Sequence, residues 1–546
     1  MLQLIYNNDY VTLGGDYDKN TLDIIVEECS YFVPQADWSD KYQTGVWDGK
    51  KSLFSKKNKT FPAGLLLDIK SKLEEQKIQF FVNDIRPKPI ITKNSIVNLG
   101  EHTFRDYQND SKKLAKEKER LILNLPTGAG KTSCSAGIIS DISAYPVIFV
   151  VPSVSLLKQT AKEFQRTLEP LNDLFSIGTI GGGECIIAEH GVNVCTYQTL
   201  LTAYNKKYDD KVKKVVDIED KTSYESLQKQ LIVIDIDLKN SPKNRLAAIK
   251  KKKKDIENKI KTKEQQRINK KRIRDLVESC QLLIIDETHL AAVIIEQISL
   301  KCKKAYYKCG LSATPIRTDN QDKRMVGATG PILKRVSATD LINRGFLVKP
   351  YIYAIELNLP DKSRSTWQET YKNAIVLSEQ RNNLIRDIAT EMHNQGKPTM
   401  IMVERIEHGN VLQNLIPNCV FVPGDGGDND QPISDTEIDY RRSQLNRLEN
   451  NEIILCATSW SFTGLDAPKI ECLILGCSVS SKITVLQQVG RVLRKAPGKD
   501  SCIIIDFKHK ENNLRKHFSS RHEAYKSEVG FEVKIIKYNS KKDCYI

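Results

Sequence analysis

Residues 124–132 constrain the fold of this chain more than any other segment. They spell Asn-Leu-Pro-Thr-Gly-Ala-Gly-Lys-Thr and lie between an apolar run at 121–123 and a segment that can open a helix. A strand, a glycine-containing turn ending in Gly-Lys-Thr and a helix form a cradle for phosphate, because backbone N–H groups and the helix N-terminus face the anion. In such a cradle Lys131 reaches the outer phosphates of a nucleotide, and the Thr132 hydroxyl binds Mg²⁺.

The match to the pattern G-x-x-x-x-G-K-[ST] is incomplete, because Leu125 stands where the first glycine is expected. The alternative to a nucleotide site is a chance Gly-Lys-Thr in a loop. If the site is real, the residues of the cradle are Pro126, Thr127, Gly128, Ala129, Gly130, Lys131 and Thr132.

Length and composition limit the class of protein. The chain has 546 residues, 40% of them hydrophobic, which suffices for two to four globular domains. No run approaches the roughly 18 apolar residues of a membrane span, and the N-terminus lacks the basic and apolar regions of a signal peptide. The 13 cysteines include no C-x-x-C pair, which fits a reducing compartment. We therefore expect a cytoplasmic protein (in the host-cell cytoplasm if the chain is viral) with no membrane partner.

Most of the positive charge lies in one segment. The net charge is +15, and residues 239–274 contain 16 Lys or Arg against 3 Asp or Glu, so this segment carries +13 of the total. An excess of basic residues indicates an anionic partner. Because the excess of basic residues is concentrated in this segment, the rest of the protein surface is not expected to be strongly basic.

Apolar runs alternate with helical stretches in two successive blocks. The blocks span 96–345 and 346–546, and they follow a short mixed α/β module at 1–95 that ends in a proline-rich stretch. Alternating strands and helices predict an α/β fold with two tandem parallel-sheet domains and a cleft between them. The predicted strands are 121–125, 147–151, 192–196, 282–285 and 307–311 in the first block, and 399–403, 419–422, 453–457, 472–475 and 502–505 in the second.

The segment 205–279 interrupts the first block and contains the basic excess. Ser241-Pro242 is a helix-start signal, and we predict a charged helical hairpin on a surface loop. Its apolar positions are 246, 249, 256 and 260 on the outgoing face and 268, 273 and 276 on the returning face. This segment either contacts nucleic-acid phosphates or is a solvated insertion that touches nothing. The run 231–235 resembles a strand ending in an acid, but Ile236 and Asp237 follow it, so it is not assigned as a metal site.

A metal-binding acid is expected to accompany a phosphate cradle. The apolar run 282–285 leads into Asp286-Glu287-Thr288-His289. An Asp at the end of a buried strand can hold Mg²⁺, and the adjacent Glu can orient or deprotonate the water that attacks the terminal phosphate. At this distance after the cradle, the four residues predict a site for nucleotide hydrolysis.

The pairing of these two motifs resembles superfamily 2 helicases and translocases of the D-E-x-H type. The other motifs of that family follow in the expected order. They are Phe104, Arg105 and Gln108 for adenine; Pro152 and Ser153, then Thr196 and Gln198, then Thr458, on the nucleic-acid face; Ser312 and Thr314 for coupling; Gly464 and Asp466 beside the nucleotide; and Gln487, Arg491 and Arg494 for catalysis.

This resemblance implies two RecA-like domains that use ATP and Mg²⁺. Lys131, Asp286, Glu287 and His289 belong to the first domain, whereas Gln487, Arg491 and Arg494 belong to the second. Arginines that reach the terminal phosphate across such a cleft are typically worth about 10³–10⁵ in rate. ATP binding would then close the cleft, and the nucleic-acid contacts of the two domains would change their separation in each cycle.

A closer resemblance is to the UvsW-type phage recombination helicases. It rests on the small N-terminal module, with Trp47-Asp48-Gly49 and Phe61-Pro62, and it covers nearly the whole chain apart from the insertion. It implies a monomeric helicase acting on branched DNA, namely R-loops with their RNA–DNA hybrids, replication forks and Holliday junctions, in recombination, replication and repair. It also implies that residues 1–95 bind substrate.

Three alternatives differ from this interpretation. The chain could be a double-strand translocase or annealing motor, which uses the same ATP cleft, or the motor subunit of a restriction-type complex. It could also be a binding protein with a decayed ATP site, but the intact Lys131, Asp286 and Arg491 oppose this. Trp47 either stacks on a base or anchors the core of the small module. We expect the helix at 514–525 to pack on the second domain.

Overall fold

The computed structural model describes residues 1–33, 36–91, 97–100, 103–171, 173–209, 214–217, 224–240, 242, 245–289, 292–313, 322–357, 366–424, 435–458, 467–510 and 512–537. Three sheets organise these residues. A four-stranded sheet lies in the N-terminal part, an eight-stranded sheet follows, and a seven-stranded sheet ends the described chain.

The N-terminal sheet has the strand order β5-β2-β1-β6 and is mostly antiparallel, with β1 and β6 parallel. This module packs on the next sheet through a shared apolar core that includes Phe61 and Met325. Arg86 reinforces the contact, because its guanidinium lies 4.1 Å from the ring centres of both Tyr6 and Tyr306. Its elements are β1 (Leu2–Tyr6), β2 (Tyr10–Gly15), α1 (Lys19–Glu28), β3 (Ser30–Phe32), a 3₁₀ turn (Ala36–Trp38), α2 (Asp40–Gln43), β4 (Lys50–Ser52), β5 (Thr60–Pro62), a second 3₁₀ turn (Ala63–Leu65), α3 (Leu66–Glu75) and β6 (Phe80–Asp84).

The first α/β sheet has the order β12-β11-β13-β9-β16-β17-β8-β18, and every neighbouring pair except β11 and β12 is parallel. Its elements are β7 (Val97–Asn98), α4 (Asp106–Lys118), β8 (Arg120–Asn124), α5 (Lys131–Ile142), β9 (Val147–Val151), α6 (Val154–Thr167), β10 (Glu169–Pro170), β11 (Ile177–Gly181), β12 (Glu184–Ile186), β13 (Val192–Thr196), α7 (Tyr197–Ala203), β14 (Lys206–Asp209), β15 (Lys214–Asp217), α8 (Tyr224–Asn240), α9 (Leu246–Ser279), β16 (Leu282–Ile285), α10 (Ala292–Lys301), β17 (Tyr307–Ser312), α11 (Asp322–Thr329), β18 (Ile332–Arg335) and α12 (Ala338–Asn343).

The second α/β sheet has the order β21-β22-β20-β23-β24-β19-β25, and all its pairs are parallel. Its elements are β19 (Lys349–Glu356), α13 (Trp367–Tyr371), a π-helical turn (Lys372–Val376), α14 (Glu379–Asn394), β20 (Thr399–Val403), α15 (Ile406–Leu415), β21 (Cys419–Val422), α16 (Asp435–Glu449), β22 (Ile454–Thr458), β23 (Cys472–Leu475), α17 (Lys482–Val492), β24 (Ser501–Lys508), α18 (Asn512–Lys526) and β25 (Glu532–Lys537).

The predicted fold class is confirmed: two tandem parallel sheets of the RecA-like type follow a small α+β module. The central strands β9, β13 and β20 are buried at every position. Strands covered by helices on both faces need apolar side chains on both faces, which explains why short apolar runs located them in the sequence. The predicted packing of the helix near 514–525 is also confirmed, since Arg521 and Tyr525 of α18 bind Asp506 of β24.

The insertion forms a hairpin, but not the predicted one. The run 231–235 is not a strand; it lies inside α8, where Leu227 and Ile234 are buried. The positions 268, 273 and 276 do not return on a second helix either, because they continue α9. The hairpin therefore consists of α8 and α9, preceded by the antiparallel pair β14 and β15. Among the described helices, α9 included, none is both long and apolar enough to cross a membrane.

Candidate active site

The turn after β8 forms the predicted phosphate cradle. Gly128 and Gly130 have φ angles of 86° and 76°, in the left-handed region that favours glycine, and Gly130 caps the N-terminus of α5. Leu125, which departs from the sequence pattern, is fully buried, and its N–H donates to the Ser312 carbonyl over 2.9 Å. Leu125, at the first position of the loop, therefore packs in the core of the first sheet, and the rest of the turn is accessible to a phosphate.

Gln108 holds this turn from behind. Its Nε2 donates to the Ala129 carbonyl over 3.0 Å, and its Oε1 accepts from the Arg105 N–H over 3.0 Å. A Cβ on Gly130 would lie 2.6 Å from the Gln108 amide nitrogen, so the glycine is needed for this close approach. Tyr107 adds a 2.7 Å hydrogen bond from its hydroxyl to the same Ala129 carbonyl.

The two other residues predicted to contact adenine have different environments. Arg105 lines the cleft, and its guanidinium lies 4.5 Å from the ring centre of Phe346. Phe104 instead stacks with Lys112, whose Nζ is 4.2 Å from the ring centre, and it borders Gly137 of α5. Phe346, which was not predicted, follows the first sheet and faces the same cleft.

Three charged groups meet at the ends of β8 and β16. Lys131 Nζ lies 2.5 Å from Glu287 Oε1 and 3.7 Å from Asp286 Oδ1. Burial, together with the neighbouring Glu287 charge, raises the pKa of Asp286 to about 6, against the opposing effect of Lys131. Burial alone would raise the pKa of Glu287, but Lys131, His289 and Arg491 together outweigh it and lower that pKa. At neutral pH both carboxylates are therefore ionised and face one lysine.

Glu287 has a strained backbone at this point, with φ of 50° in the left-handed region. Strain in non-glycine residues concentrates at functional sites, where the surrounding structure over-determines it. Here the Glu287 N–H donates to Asp286 Oδ1 over 2.9 Å, which fixes the two side chains relative to each other.

A polar network links this centre to both sheets. His289 Nδ1 is 2.8 Å from the Ser312 hydroxyl at the end of β17 and 3.4 Å from Glu287 Oε2. Gln487 of α17 reaches across from the second sheet and donates to Glu287 Oε2 over 3.4 Å and to His289 Nε2 over 3.3 Å. Since Nε2 accepts, the His289 proton belongs on Nδ1. A change at the Glu287 carboxylate therefore acts directly on Gln487, which belongs to the second sheet.

The cleft between the sheets has a volume of about 540 Å³. Arg491 of α17 and Arg494, which follows that helix, line the cleft together with Lys131 and Thr132. The walls meet closely at one point, because a Cβ on Gly490 would lie 2.7 Å from Thr127 Cβ. Glycine at this position lets α17 approach the phosphate cradle.

Helix α6 supplies a wall of the cleft that the sequence analysis missed. Gln159, Glu163 and Arg166 line it, together with Leu156 and Thr160. These positions recur at spacings of three or four residues, which places them on one helical face. Helical periodicity directly after Pro152-Ser153 is therefore the signal that could have located them.

The residues predicted for nucleic-acid contact lie at the carboxyl ends of strands. Ser153 follows β9 and accepts a hydrogen bond from the Leu156 N–H over 3.3 Å, which caps α6. Thr196 ends β13 and is buried, with its hydroxyl 2.9 Å from that of Thr199, whereas Gln198 is exposed. Thr458 ends β22 and is buried. Pro152 lines the nucleotide cleft itself. Thr314, Gly464 and Asp466 lie outside the described residues.

The residues present fit a nucleotide with Mg²⁺. Thr132, Asp286 and Lys131 all line this cleft. Within the described ranges, no cluster of three or more His, Cys, Asp or Glu side chains could hold a metal ion alone. In ATPases Mg²⁺ is held by one or two carboxylates plus substrate phosphates and waters, so the pair Thr132 and Asp286 is a suitable donor set.

Comparison with known proteins agrees with this geometry. A family model described as "Type III restriction enzyme, res subunit" matches residues 101–317. The ATP-dependent DNA helicase uvsW of Enterobacteria phage T4 is 23% identical over 577 aligned positions, which cover 99% of this chain and 98% of that protein. A protein of Sulfolobus islandicus filamentous virus that is named as a helicase is 26% identical over 249 positions, covering 43% of this chain and 44% of its own length.

A structural comparison matches the crystal structure of T4 UvsW with a TM-score of 0.40 and 20% identity, covering 98% of this chain and 99% of that one. The sequence relatives confirm the predicted resemblance: the chain is similar to superfamily 2 helicases and, over nearly its whole length, to UvsW. They support an ATP-hydrolysing nucleic-acid helicase.

Proposed function

We propose that this superfamily 2 helicase uses ATP to unwind or branch-migrate branched nucleic acids: R-loops, replication forks and Holliday junctions. The similarity over 99% of the chain to a phage protein named as an ATP-dependent DNA helicase supports DNA as the substrate. Recombination-dependent replication and repair are the processes in which such substrates arise. The same proposal includes a monomeric protein in the cytoplasm that acts on DNA, with RNA–DNA hybrids among its substrates.

One observation carries the motor part of the proposal. Lys131 and Glu287 of the first sheet and Gln487 of the second meet within hydrogen-bond distance at a single cleft. In our interpretation Lys131 binds the terminal phosphates, and Glu287 orients and deprotonates the attacking water. Arg491 and Arg494 stabilise the charge that builds on the phosphate in the transition state. Hydrolysis then weakens the attraction between the two walls, and the cleft opens.

The nucleic acid would bind along the carboxyl ends of the strands, at Pro152, Ser153, Thr196, Gln198 and Thr458. Helix N-termini and hydroxyls in such positions bind phosphate rather than bases, so sequence preference is weak. Ser312 and Thr314 would transmit the state of the ATP centre to this face. Ser312 supports this role through its 2.8 Å contact with His289.

The N-terminal module would bind substrate through exposed aromatic side chains. Trp38 is 76% exposed, and Phe32 and Tyr42 of the same module are 50% and 40% exposed. Trp47, in contrast, is half-buried, and its indole N–H donates to the Lys50 carbonyl over 2.7 Å. Trp38 is therefore the better candidate for stacking on an unpaired base at a junction. The division into three domains with boundaries at residues 95 and 345, predicted from the sequence, is also part of this proposal.

The test is steady-state ATP hydrolysis with single strand, linear duplex, R-loop, fork and four-way junction at one salt concentration. The strongest stimulation by the branched substrates is the expected result. Equal stimulation by linear duplex would replace the proposal with a double-strand translocase, and absence of hydrolysis with every substrate would overturn the motor.

Lys131→Ala is the loss-of-function variant for the same hydrolysis assay. It removes the cation at the phosphate cradle, so hydrolysis should fall to background while nucleic-acid binding and the thermal unfolding midpoint stay unchanged. Lys113→Ala on α4, whose side chain is 79% exposed, is the control and should retain wild-type turnover. Hydrolysis by Lys131→Ala at the wild-type rate would contradict the assignment of the cradle.

A further inference from the structure

Helix α9 carries a large share of the charge of this protein. Its 34 residues, Leu246–Ser279, contain 13 Lys or Arg and 5 Asp or Glu, a net charge of +8 in a chain of +15. At 1.5 Å per residue the helix is about 51 Å long. None of its residues contributes to the ATP cleft.

The C-terminal end of α9 is built into the first sheet. Ile273, Leu276 and Val277 are buried in the core that includes strands β9, β13 and β16. Arg274 donates to the Ala203 carbonyl over 2.7 Å, and Lys270 to Asn205 Oδ1 over 2.9 Å. The base of α9 is thus fixed to the end of α7, the helix that begins directly after Thr196.

The base of α9 lies at the start of β16. Two residues, Cys280 and Gln281, separate the helix from the strand, and the part of α9 that is buried in the sheet core spans Ile273–Val277. The 26 residues of α9 before Arg272 contribute nothing to that core and form about 39 Å of helix beyond the packed base.

Helix α8 braces this extension. Leu227 and Ile234 of α8 and Ile256 of α9 are buried in the described hairpin, and Lys253 Nζ lies 2.7 Å from Asp235 Oδ1. A hydrophobic seam with a cross-helix ion pair keeps two antiparallel helices in register. The charges near the tip are consequently carried on a stiff support.

Three lysines form the exposed face of the tip. Lys250, Lys251 and Lys254 are all exposed, and their spacing places them on one side of the helix, away from the Lys253 pair. Within the described residues they form no ion pair. Lysines held together without acidic partners attract an extended polyanion.

We propose that the α8–α9 hairpin is a phosphate-binding arm, whose Lys250, Lys251 and Lys254 contact the nucleic-acid backbone beyond the helicase core. This inference rests on the proposed function, because a phosphate-binding arm extends the contact that a nucleic-acid motor makes with its substrate. A reach of about 39 Å corresponds to roughly one turn of B-form duplex. The arm would lengthen the footprint and raise affinity without reading sequence, because it touches phosphates.

The test compares two triple variants of the full chain. In the first, Lys250, Lys251 and Lys254 are each changed to Gln; the control changes Lys118, Lys303 and Lys304 to Gln. The control lysines are exposed and precede β8 and β17, at the edge of the sheet opposite Ser153 and Thr196. Both variants lose the same charge, and Gln has nearly the helix propensity of Lys, so both should fold.

Binding to a fork is measured by fluorescence anisotropy across a series of salt concentrations. Loss of three phosphate contacts should make the slope of log K against log salt shallower by about 2 to 3 for the tip variant. The control should keep the wild-type slope. Shortening the arms of the fork by about ten base pairs should weaken wild-type binding toward that of the tip variant, which should itself change little.

Equal slopes for the tip variant, the control and the wild type would overturn the arm and leave a solvated insertion. The wild-type ATPase with the same fork separates this failure from that of the proposed function. If the fork stimulates hydrolysis while the slopes are equal, the arm alone is wrong. If it does not stimulate hydrolysis, the helicase proposal is wrong, whatever the slopes show.

Discussion

Two buried carboxylates, Asp286 after β16 and Asp506 in β24, occupy comparable places in the two α/β sheets. Asp506 is fully buried, and Arg521 Nε and Nη2 and the Tyr525 hydroxyl all donate to it over 2.9 Å. Asp286 lies 3.7 Å from its cation, Lys131, and lines the cleft of about 540 Å³. The residue types are similar, but their surroundings differ. The Asp506 cluster is closed, because protein groups surround its carboxylate, whereas the Asp286 cluster is open, because it borders the cleft.

This difference separates a structural cluster from a chemical one. Burial would lower the pKa of Arg521, but the charge and hydrogen bonds of Asp506, together with Tyr525, outweigh it and raise that pKa, so Arg521 stays charged. At Asp286 burial raises the pKa, and the single lysine only partly offsets it. A carboxylate with unfilled coordination next to a cleft can accept a metal ion, whereas Asp506 has no place for one.

The largest expected effect is that of Arg491→Ala on the open cluster. Removing the arginine should reduce ATP hydrolysis by about 10³–10⁵, because charge on the transferred phosphate then lacks its partner from the second sheet. Single-turnover hydrolysis under saturating ATP measures this loss, and the unfolding free energy should hardly change. Arg442→Ala on α16, whose side chain is 37% exposed, is the control. A rate within tenfold of wild type would show that Arg491 lies outside the reacting centre.

Asp506→Asn should have the opposite profile. It keeps the shape of the side chain but leaves Arg521 buried without a counter-charge, which typically costs about 3–5 kcal/mol. Urea denaturation measures the unfolding free energy of the second sheet, and turnover per folded molecule should stay near wild type. Asp439→Asn, with a side chain 75% exposed, is the control. Full stability of Asp506→Asn would remove the distinction between the two clusters.

Tyr525→Phe is the mildest change to the closed cluster. It deletes one hydrogen bond to the carboxylate while both Arg521 contacts remain, so a loss of about 2 kcal/mol is expected. The same urea denaturation measures it, with Tyr440→Phe on the exposed surface of α16 as the control. A loss as large as that of Asp506→Asn would mean that the tyrosine, rather than the ion pair, holds α18.

The sequence located the interior of the two sheets well. The interior strands at 147–151, 192–196, 282–285, 399–403 and 472–475 match the observed bounds, because full burial leaves a mostly apolar run, and the edge strand at 419–422 matches as well. Strands near the edges, such as β18 and β25, were not predicted. Their outward positions are polar, as the partly exposed burial pattern of β25 shows, so the run that marks a central strand is missing.

Burial also explains the error at 231–235. Five residues rich in Ile and Val have high strand propensity, but α8 uses only some of them against α9. Ile234 is buried, whereas Ile232, Val233 and Ile236 are 61%, 56% and 54% exposed. Tertiary pairing with a long helix decided the conformation, and nothing local in the run indicates that partner.

The polar network of the site could not be predicted from the sequence, for a different reason. Lys131, Asp286 and Glu287 were identifiable by spacing and residue type, since each belongs to a short motif. That Gln487 donates to His289, 198 positions away, depends on how α17 approaches the cradle. Gly490 permits this approach, but a glycine in a helical pattern has several possible explanations when the facing Thr127 is unknown.

The short connection between α9 and β16 determines where the hairpin pivots when α9 tilts. Cys280 and Gln281 connect α9 to the start of β16, and Asp286 follows the opposite end of that strand, so a tilt of α9 pivots at its packed base on the sheet. About 39 Å of helix beyond this base converts a tilt of about five degrees into a tip movement of about 3.4 Å. That movement equals the spacing of about one nucleotide along a strand. The hairpin is therefore a lever, in which a small rotation at the base gives a displacement of about one nucleotide at the tip.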